Sequence, residues 1–310
     1  DVTEYSEQGE YAVYKIDLGT MTVVSSLGGF EGGRALLSIG NTEFLVASNR
    51  GVLYRVSSPE MAVLGVFPAG GAYATGYGSM VQTSSSTVYL VGSYGNIVEF
   101  SLATGSVADV FSAGPAPAGV TCSSDGGSIF VIDAQDAGLR EFDTSDNSFV
   151  RSVELETPAS VIVRWTDSPY QYLLALSSLE PAAYPVWVEY LLPSSVGLAR
   201  PASDIAAFRD TTIFCACHGG SGPGMATVSA GYPIVERTET IALSGQPLRA
   251  CSEQVHHSFY VASLIDGTTT RIYEIDGLDC TITRTLDVPG YPWDITAHAN
   301  GEYLLILTST

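Results

Sequence analysis

Seven short apolar segments, each led by an aromatic residue, return along this chain at nearly constant intervals: Phe44-Leu-Val-Ala-Ser, Tyr89-Leu-Val-Gly-Ser, Phe130-Val-Ile-Asp, Tyr172-Leu-Leu-Ala-Leu, Phe214-Cys-Ala-Cys, Tyr260-Val-Ala-Ser and Tyr303-Leu-Leu-Ile-Leu. Successive aromatics lie 45, 41, 42, 42, 46 and 43 residues apart. A period of about 43 residues is that of a four-stranded β-propeller blade. The spacing also settles a question of length. A chain of 310 residues is long enough for two ordinary domains, whereas seven repeats predict one ring.

The segments have companions at fixed offsets. Before each runs a strand of small and apolar residues, as in Arg34-Ala-Leu-Leu-Ser-Ile, Ala118-Gly-Val-Thr-Cys and Trp293-Asp-Ile-Thr-Ala, followed by a polar turn such as Ser124-Asp-Gly-Gly. After each comes a second alternating stretch, as in Gly51-Val-Leu-Tyr-Arg-Val, Asn96-Ile-Val-Glu-Phe, Gly138-Leu-Arg-Glu-Phe and Arg271-Ile-Tyr-Glu-Ile. Tight turns such as Ala103-Thr-Gly-Ser then lead to an outer strand. The predicted class is therefore all-β, a seven-bladed propeller of four-stranded antiparallel blades. The last segment is followed by only a few residues, while Tyr11 to Val24 reads as a third and fourth strand. Pairing the two ends completes the seventh blade and leaves no open edge in the ring. Residues 1–8 are expected to be a polar tail and 9–310 the propeller.

In its blade pattern the chain resembles the YVTN-type repeat propellers, whose blades run Gly-x-x-Pro, an inner strand, a Ser-x-Asp-Gly turn, a Tyr-Val-Ala-like strand and Val-x-Val-Ile-Asp. Blade three, with Gly114-Pro-Ala-Pro, Ser124-Asp-Gly-Gly, Phe130-Val-Ile-Asp and Glu141-Phe-Asp, follows that pattern, and Gly290-Tyr-Pro-Trp-Asp-Ile follows it in part. Blades four and five drift from it. The resemblance implies a fold rather than an activity, because the functions of such propellers are diverse.

Charge narrows the partners. The 13 basic and 33 acidic residues give a formal charge of −20, which disfavours nucleic acid and anionic membrane surfaces. Such a balance suits a solubilising surface or an acidic patch for a cationic ligand, a metal ion or a basic protein face. Lys15 is the only lysine. No apolar run approaches the eighteen or so residues of a membrane span, and the start at Asp1 is that expected of an exported chain after signal removal, or of a trimmed one. The expected location is extracellular, cell-surface or periplasmic. The five cysteines, Cys122, Cys215, Cys217, Cys251 and Cys280, form no CxxC pair. Cys215 and Cys217 share a strand face, as buried packing or as two soft-metal ligands.

Candidate chemistry falls on two faces. The turns joining second to third strands, and outer strands to the next inner ones, collect Arg50, Tyr77, Tyr94, Asp133, Asp136, Tyr184, His218 and Trp293 on an upper face around the channel. Aromatics mixed with carboxylates suit a glycan, a peptide or a cationic small molecule, or else fill the gaps between blades. His256, His257 and His298 fall in turns joining first to second strands of neighbouring blades, on the lower face. They are either solvated turn histidines or three ligands for a zinc or copper ion, with Asp294 or Glu302 as an oxygen ligand. Apart from such a metal ion, no cofactor is expected: no P-loop or dinucleotide fingerprint occurs. His218-Gly-Gly-Ser-Gly lacks the nucleophile elbow that would make it an oxyanion loop.

Two functions fit. One is an exported, non-catalytic binding or assembly module that meets a protein, a glycan or copies of itself through its face or rim. The other is a propeller enzyme of lactonase, lyase or quinoprotein type, with Asp133, Asp136, Glu180 and His218 at the channel mouth.

Overall fold

A computed structural model describes residues 10–70, 79–166, 171–177, 179–198, 200–208, 213–218, 224–230 and 237–310. Among them the regular elements are 29 strands gathered into seven separate sheets. Blade 1 spans Gly33–Pro68, blade 2 Met80–Ser112, blade 3 Pro117–Glu154, blade 4 Val161–Gly197, blade 5 Asp204–Ala242 and blade 6 Gln246–Pro289. Each is an antiparallel meander, and each inner strand packs beside the inner strands of the blades before and after it. In blade 4 the outer strand is broken into Leu192–Pro193 and Val196–Gly197.

Blade 7 is built from both ends of the chain. Its inner and second strands are Tyr291–Ala297 and Tyr303–Ser309, and Tyr11–Asp17 and Thr22–Gly28 complete it as third and outer strands. The register runs from Tyr11 opposite Ser309 to Asp17 opposite Tyr303. One more main-chain bond, from Thr310 N to Glu10 O at 3.1 Å, extends the ladder. This is the closure that the end segments predict.

Burial explains the strand sequences. Second strands lie between two neighbouring blades and are apolar on both faces, as in Phe44-Leu-Val-Ala-Ser, whereas outer strands such as Ala62–Pro68 are mostly wet. Seven apolar clusters result, one at each interface between consecutive blades. The leading aromatics wedge into these interfaces but do not all point the same way. Phe44 packs back onto blade 7, while Tyr89 and Phe130 pack forward onto blades 3 and 4. Adjacent strand residues face opposite sides of a sheet, so a one-residue offset in a repeat turns its aromatic to the other interface.

The described hairpins joining third to outer strands share one backbone device. Met21, Met61, Asn147, Leu191 and Cys280 all have φ between 48° and 58°, a left-handed conformation that costs a non-glycine residue about 1–2 kcal/mol. The side chains of Met21, Met61 and Leu191 are buried there, and burying a Met or Leu is worth about 1.5–3 kcal/mol. Burial therefore wins. In blade 2 the position is Gly105, where an added Cβ would come within 2.5 Å of the Phe67 ring. Phe67 occupies the space that Met or Leu fills elsewhere.

Candidate functional site

On the propeller axis lies a channel, a cavity of about 530 Å³ lined by residues from the inner strands of all seven blades. Exposed Gly40 and Ala299, in turns between first and second strands, line it at the lower end. Its polar wall includes Ser38, Gln82, Thr121, Arg164, Ser252 and His298, and among the described residues no Phe, Tyr or Trp takes part.

The upper part of the channel is stitched by three buried or half-buried charged residues at matching positions of successive inner strands: Asp204, Arg249 and Asp294, spaced 45 residues apart. Asp204 accepts the N–H of Ile205 at 2.8 Å and that of Ala250, in the next blade, at 2.9 Å. Asp294 repeats this with Ile295 at 2.8 Å and Leu36 at 2.6 Å, which joins blade 7 to blade 1. Between them Arg249 donates through Nε to Trp293 O at 2.6 Å and through Nη1 to Leu248 O at 2.7 Å. Burial pushes the Asp294 carboxyl up to about 7, against the opposing pull of the Leu36 and Ile295 N–H groups and of Arg249, and raises that of Asp204 well above the usual range. The 45-residue offset is in the sequence, but Asp and Arg among apolar strand residues do not stand out until the strands are aligned by their pairing.

The upper-face residues serve mostly to hold turns. Asp133 is wholly buried and accepts three main-chain N–H groups, from Ala116 and Gln135 at 2.8 Å and Asp136 at 3.1 Å, with Arg140 3.6 Å away. Asp136 accepts from Gly138 N at 2.9 Å and pairs closely with Arg140. Burial raises its carboxyl, but the Arg140 bond and the Gly138 N–H outweigh that and hold it below the usual range. The Tyr184 hydroxyl shares a 2.7 Å bond with Thr157 at the buried interface of blades 3 and 4. His218 is buried, with Nε2 2.9 Å from Thr227 Oγ1, and burial lowers its pKa. Arg50 remains half exposed and pairs with Glu31 at 2.7 Å, and Tyr94 stands 95% exposed on its turn. Trp293 carries the Arg34 guanidinium over its ring at 3.5 Å, lies tilted against Tyr291 with ring centroids 4.9 Å apart and donates from Nε1 to Ser309 Oγ at 2.8 Å. Tyr77 lies outside the described residues, as do residues 71–78 of its glycine-rich loop and residues 219–223 after His218.

The three lower-face histidines differ in setting. His256 is exposed and pairs through Nδ1 with Glu253 at 2.9 Å, and His257 sits edge-on to Phe208 with ring centroids 5.3 Å apart. His298 is buried, its Nδ1 3.4 Å from Ser38 Oγ and its Nε2 without a hydrogen-bond partner. Burial, helped by the nearby Lys15 charge, lowers its pKa to about 4. No group of three His, Cys, Asp or Glu side chains is placed to share a metal ion among the described residues. The Cys215 and Cys217 thiols are buried in the interface of blades 5 and 6, where burial pushes Cys217 up to about 12. Of the sequence-derived candidates that are described, His298 and Asp294 line the channel cavity and the others do not.

No helix among the described residues is long and apolar enough to cross a membrane. No protein-family model matches the chain, and no curated protein matches it by sequence. Its structure is similar to a chain of hydrazine synthase from Kuenenia stuttgartiensis, with a TM-score of 0.73 over 90% of this chain and 95% of that one, at 12% sequence identity. At that identity the likeness extends to the fold alone: this chain is a seven-bladed β-propeller.

Proposed function

We propose that this propeller is an exported binding or assembly module of the YVTN-type repeat class, which meets a protein partner or further copies of itself through its rim. The observation that carries this reading is an arc of exposed apolar side chains on the outer strands of consecutive blades. Val23 and Val24 in blade 7 are followed by Val63, Leu64 and Val66 in blade 1, Val110 in blade 2, and Phe149 and Val150 in blade 3, all 40–57% exposed. Outer strands present unpaired edge groups as well, so an apolar arc there favours association. The outer strand of blade 6, Ile282–Pro289, adds only Ile282 to the exposed large apolar residues. The engagement of Asp133, Asp136 and His218 in structural hydrogen bonds supports a binding role over a catalytic one at the upper face.

The test is assembly state and partner recovery. Light scattering and affinity recovery from native extract are run on the wild type and on a Leu64→Lys/Val66→Glu double variant. The variant is expected to lose self-association or the recovered partner while keeping its melting temperature. A monodisperse wild-type monomer that recovers the same material as the variant would sink the reading.

A further inference from the structure

The channel is a separate feature from the rim, and the two halves of its wall differ in chemistry. Blades 7, 1, 2 and 3, consecutive in the ring, bring Thr296, His298, Ser38, Gln82 and Thr121 to one arc. Thr121 is only 7% exposed, yet its hydroxyl has no hydrogen-bond partner among the described residues. The same holds for the Gln82 side-chain amide and the Thr296 hydroxyl, and His298 Nε2 is without a partner as well. A hydroxyl both donates and accepts, so it can complete any of these groups.

Blades 4 to 6 supply the facing arc, with Ile162, Ala206, Ala207 and Cys251 among its residues. The Ser252 hydroxyl on that side is already engaged, donating to Ala207 O at 2.7 Å and accepting from Gln254 Nε2 at 2.8 Å. One arc thus offers unpaired polar groups, and the other small apolar side chains.

The charged lining residues all have partners within the protein. Arg164 donates through Nη1 to Ser123 O at 3.1 Å. Glu253 accepts from Val255 N at 2.6 Å and His256 N at 2.7 Å and pairs with the His256 ring, and Asp294 accepts from Leu36 and Ile295. An ionic ligand would therefore leave water without meeting an open counter-charge, which favours a neutral one. The cavity of about 530 Å³ falls within the range of about 300–1,000 Å³ usual for small-molecule sites, and its described lining holds no aromatic platform for a nucleobase. A pyranose or a cyclitol divides its surface as the channel does, with hydroxyls at the edge and C–H groups on the face.

We propose that the channel binds a neutral monosaccharide or cyclitol, with its hydroxyls on Gln82, Thr121 and Thr296 and its C–H face toward Ile162, Ala206 and Ala207. The test is titration of the whole chain with glucose, galactose and myo-inositol. The controls are gluconate and glucosamine, which add a negative or a positive charge to the hydroxyls, and cyclohexanol, which keeps the ring but only one hydroxyl. Binding is read by calorimetry and by the ¹⁵N signal of the Gln82 side-chain amide. That signal is expected to move, and at least one neutral sugar or cyclitol is expected to bind about tenfold or more tightly than every control. Thr121→Val, which keeps the shape and removes the unpaired hydroxyl, should weaken that binding about tenfold with an unchanged melting temperature. Failure of all three neutral ligands to move the Gln82 amide at about 50 mM, far above a usual site's requirement, overturns the proposal. Equal binding of any control, or undiminished binding by Thr121→Val, overturns it too. Should that variant not fold, the wild-type amide signal and the three controls decide the matter.

Discussion

At the scale of single residues, two side chains sit where local preference opposes them. Tyr94 and Gly95 both have positive φ, 58° and 83°, as a two-residue mirror-image hairpin turn demands, and Asn-Gly is the pair that best suits it. Tyr94→Asn is therefore expected to stabilise the protein by about 1 kcal/mol, measured by urea unfolding, since the exposed ring loses no buried contact. His298 opposes solvent preference instead. Its folded pKa of about 4 lies below the usual value of about 6.5, so the unfolded chain binds the proton more tightly. The resulting stability is complete above about pH 6.5 and is lost as the pH falls toward 4, by about 3 kcal/mol in all. Between pH 7 and 4, His298→Gln should lose about that much less stability than the wild type. Parallel unfolding curves for the two proteins across that range would contradict it. Neither feature is legible in the sequence. Tyr94 reads there as one more upper-face aromatic that could meet a ligand, and His298 as a turn histidine, solvated or metal-binding, because exposure is set by how seven turns meet around the axis.

At the scale of elements, the hairpins after the third strands show burial overriding backbone preference. Leu191→Gly should relax the φ of 48° yet destabilise by about 1–2 kcal/mol, because the lost burial outweighs the relief. Gly105→Ala should destabilise by a similar amount, about 1–2 kcal/mol, since its Cβ meets the Phe67 ring at a left-handed position. Thermal unfolding of both variants tests the pair, and a stabilised Leu191→Gly would reverse the ranking of the two effects. The strands themselves were readable: all seven aromatic-led segments are second strands. Their side-chain directions were not, for Phe44 and Tyr89 share a rank in the repeat but face opposite neighbours. A period of about 43 residues counts strands, whereas facing depends on single-residue offsets.

At the scale of the whole molecule, the ring stands on closure, and closure is more than strand pairing. Asp294 ties blade 7 to the Leu36 N–H of blade 1. Asp294→Ala leaves that N–H buried and unsatisfied, at an expected cost of about 2 kcal/mol in guanidinium unfolding, where a neutral result would show that water replaces the carboxylate. The number of blades and the joining of the ends were legible because repeats and strand halves are local patterns. The channel lining was not, since Arg164, Ser38 and His298 come from three blades and only the ring sets them around one space. Lys15 belongs to the same seam. On the third strand of blade 7, its ammonium donates to Ser58 O of blade 1 at 2.9 Å and lies 3.9 Å above the Tyr303 ring, buried. Being the sole lysine of the chain, it leaves the folded surface without an accessible ε-amine. Acylating and amine-coupling cross-linkers should pass over Lys15 in the native ring and modify it once the seam opens, so that mass-spectrometric acylation of one residue reports directly on whether the propeller is closed.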